Sequence, residues 1–157
     1  MAAKKFRFQS GESLIEAMIT IVVLSVGVIA ASGYRYNSTL DITRADTQTA
    51  AAGIGWTLCE SWRGVKGNPN YNPVTSLTPA LTIVAGDGPA TPTGFTLMGK
   101  YHVTSNGVNY FVNMSWKDLT ASLRILNVAV AWAQAKRGQT TLNDADKQFK
   151  VVTYTQY

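Results

Sequence analysis

Cysteine and histidine are almost missing from this sequence: its 157 residues include one of each, Cys59 and His102. A single cysteine excludes an intramolecular disulfide and a cysteine-based zinc site. A single histidine excludes His-rich metal centres and leaves little for acid–base catalysis. Charge is scarce as well. Only 15% of positions are Asp, Glu, Lys or Arg, against about 25% in ordinary soluble domains. Together with 46% apolar residues, that scarcity excludes a disordered chain. With 13 Gly and 5 Pro, the composition is neither collagen-like nor of low complexity. The length suits one domain with a modest core.

The distribution of these residues is uneven. Residues 1–11 contain Lys4, Lys5 and Arg7 and no acid, whereas residues 17–34 carry no charge at all. Extended back to Leu14, the apolar run spans about 31 Å as a helix at about 1.5 Å per residue, close to a bilayer core of roughly 30 Å. Basic residues ahead of such a run place the N-terminus on the cytoplasmic side and the remainder outside. A cleaved signal peptide would cut near Ala30, Ala31 and Ser32; an uncleaved anchor would hold an external domain. Neither accounts for Glu16, an ionisable group one turn into the run, and an intramembrane carboxylate is by default a functional residue. Snorkelling to the interface is the alternative role for it.

The run Gly11-Glu12-Ser13-Leu14-Ile15-Glu16-Ala17-Met18-Ile19, followed by Val22-Val23-Leu24-Ser25-Val26-Gly27, resembles the N-terminal signature of the type IV prepilin and pseudopilin family. It is most similar to the V-type minor pilins and I-type pseudopilins, and the likeness covers about residues 4–34. It implies that a prepilin peptidase cuts between Gly11 and Glu12, and that Glu12 is the candidate for N-methylation. It also implies that Glu16, fifth in the mature chain, pairs with the freed amine of a neighbouring subunit during assembly. Further implied are other pilins in a helical fibre, an assembly ATPase, platform proteins and the inner membrane as partners, with the mature head periplasmic or extracellular. The chain departs from the family where phenylalanine usually opens the mature sequence: here stands Glu12. That second carboxylate, one helical turn before Glu16, competes for the same amine. Gly27 and Gly33 supply either hinges or close-packing points. Loss of Lys4, Lys5 and Arg7 leaves 11 basic against 9 acidic residues, so the net charge of +5 falls to +2.

Beyond Tyr34 the spacing stays helical. Leu40, Ile54, Leu58 and Trp62 define an apolar stripe, and one helix is expected from about Ser13 to Arg63. Ser13 with Glu16 also fits a capping box. Cys59 lies off the stripe and is expected to be a buried, inert thiol. Residues 64–94 are rich in turn formers, with a short strand possible within Leu81-Thr82-Ile83-Val84. Next, Asn106-Gly107 joins strands 101–105 and 108–116 in a hairpin. In the second strand Val108, Tyr110, Val112, Met114 and Trp116 point inward and Asn109, Asn113 and Ser115 outward. Strands at 124–132 and near 148–155 follow. The expected fold is α+β: a long N-terminal helix, its first half transmembrane, packed by its second half on an antiparallel sheet of about four strands. The boundaries are leader 1–11, transmembrane and assembly half 12–34, amphipathic half 35–64 and head 65–157.

Other chemistry fails on inspection. Gly94 to Lys100 has phosphate-loop spacing, but Tyr101 stands where Ser or Thr is needed and a strand follows it. Asp144 and Asp146 lack the remaining oxygen ligands of a calcium site. No Gly-x-Ser-x-Gly elbow is present, and neither an enzyme nor a cofactor is expected. Sequons at Asn37 and Asn113 are short matches. The alternative functions are an adhesive or DNA-uptake pilin whose head binds through Lys136, Arg137, Lys147 and Lys150, or a secreted soluble domain.

Overall fold

The computed structural model describes residues 12–134 and 140–157, and side chains from Leu14 onward. Gly11, the residues 1–10 expected to form a leader with it, and Lys136 and Arg137 lie outside the described residues. The elements are α1 (Glu12–Gly64), α2 (Pro73–Leu77), β1 (Ile83–Ala85), β2 (Thr96–Ser105), β3 (Val108–Thr120), β4 (Leu123–Trp132) and β5 (Lys147–Gln156), with a short 3-10 turn at Leu142–Asp144. The chain divides into two compact units, Met1–Thr43 and Arg44–Tyr157.

In the first unit, α1 carries an apolar stretch with no core around it. An 18-residue window reaches a mean hydropathy of 2.5 with none of it buried. Because the helix already includes Glu12, Ser13 lies inside it and not at an N-cap, which corrects the capping-box expectation. Leu40 is also corrected: it is exposed and belongs to this unit rather than to the packed stripe.

The second unit is α+β. Burial along its part of α1 falls on Thr47, Ala51, Ile54, Gly55, Leu58, Cys59 and Trp62, at intervals of three and four residues that keep them on one helical face. That face packs on five antiparallel strands in the order β1-β2-β3-β4-β5, so the strand count is five and not four. The extra strand is β1, whose residues pair as Ile83↔Val103 and Ala85↔Tyr101. It overlaps the short strand expected within Leu81-Thr82-Ile83-Val84, but three residues carry too little alternation to assign them to the sheet. The β2–β3 hairpin turns at Asn106 (φ 51°) and Gly107 (φ 73°). Left-handed backbone at both positions is what a two-residue turn needs to match the twist of its strands.

The inner face follows the expected alternation, with Val108, Tyr110, Val112 and Met114 of β3 and Leu126, Val128, Val130 and Trp132 of β4 buried. Each fully buried apolar side chain of this kind contributes about 1.5–3 kcal/mol. The outer face does not follow it. Phe111, Asn113, Ser115, Asn127, Ala129 and Ala131 are buried too, because the chain between β1 and β2 crosses over that side. Asn113 Nδ2 donates to the Pro89 carbonyl at 2.9 Å and to Thr91 Oγ1 at 3.0 Å. Asp87 N–H donates to His102 Nε2 at 3.0 Å, and the His102 ring meets Phe111 edge-on at 4.8 Å. The crossing segment lies so close that a Cβ on Gly88 would clash with the Val112 carbonyl oxygen. Gly88→Ala must therefore lift the segment and is expected to lower stability by about 3 kcal/mol, read as a shift in the denaturation midpoint at unchanged slope.

Candidate functional site

The candidate site is the apolar part of α1. Leu14, Ile15, Met18, Ile19, Ile21, Val22, Val23, Leu24, Val26, Val28 and Ile29 are each 59–71% exposed. Water disfavours so much apolar surface, so this segment requires lipid or other apolar surfaces around it. Its polar groups are already satisfied from within. Thr20 Oγ1 donates to the Glu16 carbonyl at 2.8 Å, Ser25 Oγ to that of Ile21 at 2.7 Å, and Ser32 Oγ to that of Val28 at 2.8 Å. A helix that satisfies its backbone and hydroxyls internally meets the requirement for burial in hydrocarbon. Glu16 is the exception: it sits exposed at the start of this stretch, between Ile15 and Ala17. Gly27 and Gly33 have no described atom near a would-be Cβ, so both positions are open.

In the second unit the structure assigns the polar residues other tasks. Cys59 is fully buried beside Leu58 and Trp62 in the core. Desolvation pushes its thiol up to about 11, with Glu60 adding to the rise and Arg63 opposing it. Little thiolate then exists at neutral pH, and thiolate is the reactive form. At pH 8 a maleimide or disulfide reagent is expected to label Cys59 only after denaturant is added, with mass spectrometry as the readout. Asp144 Oδ2 accepts from the Thr141 N–H and hydroxyl, and Asp146 Oδ1 from the Gln134 N–H. These two carboxylates thus organise a turn, and no cluster able to hold a metal ion occurs among the described residues. Residues 94–100 lead into strand β2, whereas a phosphate loop needs a helix N-terminus there. Asn113, at the head of one sequon, is fully buried. Of the four basic residues named for a binding head, Lys147 and Lys150 are exposed on β5.

Sequence reasoning missed the role of Arg124. This side chain is 6% exposed. Its Nε and Nη2 donate to Asp118 at 2.6 and 3.1 Å, and Nη1 donates to the Gly67 carbonyl at 2.7 Å. The guanidinium also lies 4.0 Å from the Trp116 ring and 4.2 Å from that of Tyr157. It ties together the turn after α1, the β3–β4 hairpin and the end of β5. An arginine opening a largely apolar strand was the available signal, but its partners are up to 57 residues away. The hydrogen bond from Arg124 holds the Asp118 carboxyl below its usual range, aided by the arginine charge and a bond from Tyr157 and opposed by desolvation. A group depressed in the folded state contributes stability above its unfolded pKa, about 3.9 for Asp. That contribution disappears as pH falls through the folded value. Acid titration of Asp118→Asn, followed by tryptophan fluorescence, is therefore expected to show a shallower loss of stability below about pH 4.

The molecule so defined is a long apolar helix, of a length and composition able to span a membrane, leading into a five-stranded antiparallel head. Compared with known proteins, the chain matches no family model, no curated protein and no solved structure.

Proposed function

We propose that this chain is a prepilin-like structural subunit rather than an enzyme. In this reading it is held in the inner membrane by α1, cut between Gly11 and Glu12, and assembled through the same helix into a pilus or pseudopilus. The observation that carries the reading is Glu16: an ionisable side chain at the start of a helix stretch whose apolar residues are all exposed. Cleavage after Gly11 would place a new α-amine four residues from it. In apolar surroundings an amine and a carboxylate each lose hydration, and a partner of opposite sign offsets much of that loss. Pairing Glu16 of one subunit with the amine of the next fixes the axial step between them. The exposed apolar surface serves twice, against lipid before assembly and against other helices within the fibre. The resemblance to minor pilins favours a role in initiating or capping the fibre, with the assembly ATPase and platform proteins driving extraction from the bilayer.

Mass spectrometry of the native N-terminus tests this directly. The expected chain begins at Glu12, with one added methyl group if that residue is N-methylated. A chain that keeps Met1, or one that begins beyond Ala30, would remove the basis for the assignment.

A further inference from the structure

The two edges of the sheet differ. One edge is β1, only three residues long, and a strand so short offers little to a partner. The other is β5, ten residues with no proline, paired with β4 in unbroken register from Leu123↔Gln156 to Trp132↔Lys147. No described strand pairs with its far side. Long edges are normally blunted by bulges, proline or charged side chains, lysine above all; β5 carries Lys147 and Lys150 but no proline, and the register shifts of this sheet lie between β2 and β3 and between β3 and β4.

Which backbone groups that edge offers follows from alternation along a strand. Tyr157 N–H donates to the Ser122 carbonyl in continuation of the β4–β5 ladder. Residues of the same parity, Lys147 to Thr155, thus face β4. Counting from the opposite edge agrees. Gly86 N–H donates to the Lys100 carbonyl and Thr104 N–H to that of Thr82, which turns the even-numbered residues of β2 toward β1. Carried through Ser105↔Val108, Phe111↔Ala131 and Val130↔Phe149, this alternation again leaves the even-numbered residues of β5 outward. Gln148, Lys150, Val152, Tyr154 and Gln156 therefore turn their N–H and C=O groups outward, where no described strand pairs with them; the Gln156 carbonyl accepts from the Thr155 hydroxyl at 3.4 Å. Their side chains share the outer face, where Val152 is 52% and Tyr154 57% exposed.

We propose that β5 pairs antiparallel with β5 of a second copy of this chain, about a two-fold axis through Val152. This register pairs all five outward residues. It sets Val152 opposite Val152, Lys150 opposite Tyr154 and Gln148 opposite Gln156. The ammonium of Lys150 then meets an aromatic ring, a favourable cross-strand pair. Centring the axis on Lys150 instead would oppose two lysines, which is destabilising. Between Lys147 and Tyr157 the chain has no acid to relieve that repulsion. The inference uses β5 alone and is independent of the fibre reading.

Cysteine cross-linking of the full chain in mild detergent tests both contact and register. In a hydrogen-bonded antiparallel pair, Cα atoms lie about 5.5 Å apart, inside the range a disulfide bridges. Under mild oxidation Val152→Cys is expected to shift to a band of twice the monomer mass. Lys150→Cys alone is expected to stay monomeric, yet to cross-link when mixed with Tyr154→Cys. The unaltered chain, with buried Cys59 as its only thiol, is the blank. Absence of the Val152→Cys dimer, or equal dimer from Lys150→Cys alone, overturns the proposal. Because all three positions are exposed, the cysteines do not disturb the core.

Discussion

Under the proposed fibre-subunit reading, a Glu16→Leu chain is expected to enter the membrane at least as well as the unaltered chain, and to be recovered in sheared fibres at a level lower by about tenfold or more. The two halves of this outcome have separate physical origins. Insertion becomes easier, because a carboxylate within a membrane helix costs up to about 2.5–3.5 kcal/mol and less near the end. In the proposed fibre, assembly becomes harder, because there the amine of the neighbouring subunit would keep its desolvation and lose its partner. Truncating one member of a desolvated charge pair typically costs 2–5 kcal/mol or more, and each 1.4 kcal/mol is about a factor of ten. Membrane fractionation and immunoblotting of fibres measure the two halves independently. Glu16→Asp keeps the charge on a shorter stem and is expected to restore part of the incorporation. Equal recovery of the Leu chain in fibres would remove the role assigned to this residue.

A second large effect is expected in the head. Trp62→Ala should destabilise the unit from Arg44 to Tyr157 by about 4 kcal/mol and lower its melting temperature by about 15–20 °C. Trp62 is fully buried, the largest such side chain, and its indole N–H donates to the Asn68 carbonyl at 2.9 Å. Truncation opens a cavity between α1 and the inner face of the sheet. It also takes from the Asn68 carbonyl one of its two donors, leaving the Tyr71 N–H at 3.1 Å. Thermal melting followed by far-ultraviolet circular dichroism checks this. A loss below about 1 kcal/mol would mean that the stripe at Ile54, Leu58 and Trp62 does not anchor the helix. The neighbouring Trp56 is 53% exposed and is the matched control, since its removal opens no cavity.

These effects separate along the line between local and long-range information. The apolar run of residues 17–34 could be read from composition, and Glu16 from its position in that run. The Asn106-Gly107 hairpin was legible because its turn depends on two adjacent residues. The buried face at Ile54, Leu58 and Trp62 was legible because a helix repeats every 3.6 residues. Leu40 misled for the same reason: periodicity places a residue on a face but does not say where the opposing core ends.

The sequence by itself thus determined the helix, the membrane-length apolar segment, the Asn-Gly turn and the inward side of β3 and β4. All of these follow from contacts a few residues apart or from a repeating pattern. Only the tertiary structure decided that β1 joins the sheet, that residues 86–95 bury its second face, and that Arg124 holds the Gly67 carbonyl. Asn113 finds Pro89 at a separation of 24 residues, and Arg124 finds Gly67 at 57. At such distances no local preference or period selects the partner. Packing does, by satisfying buried polar groups and excluding water once the strands are in register.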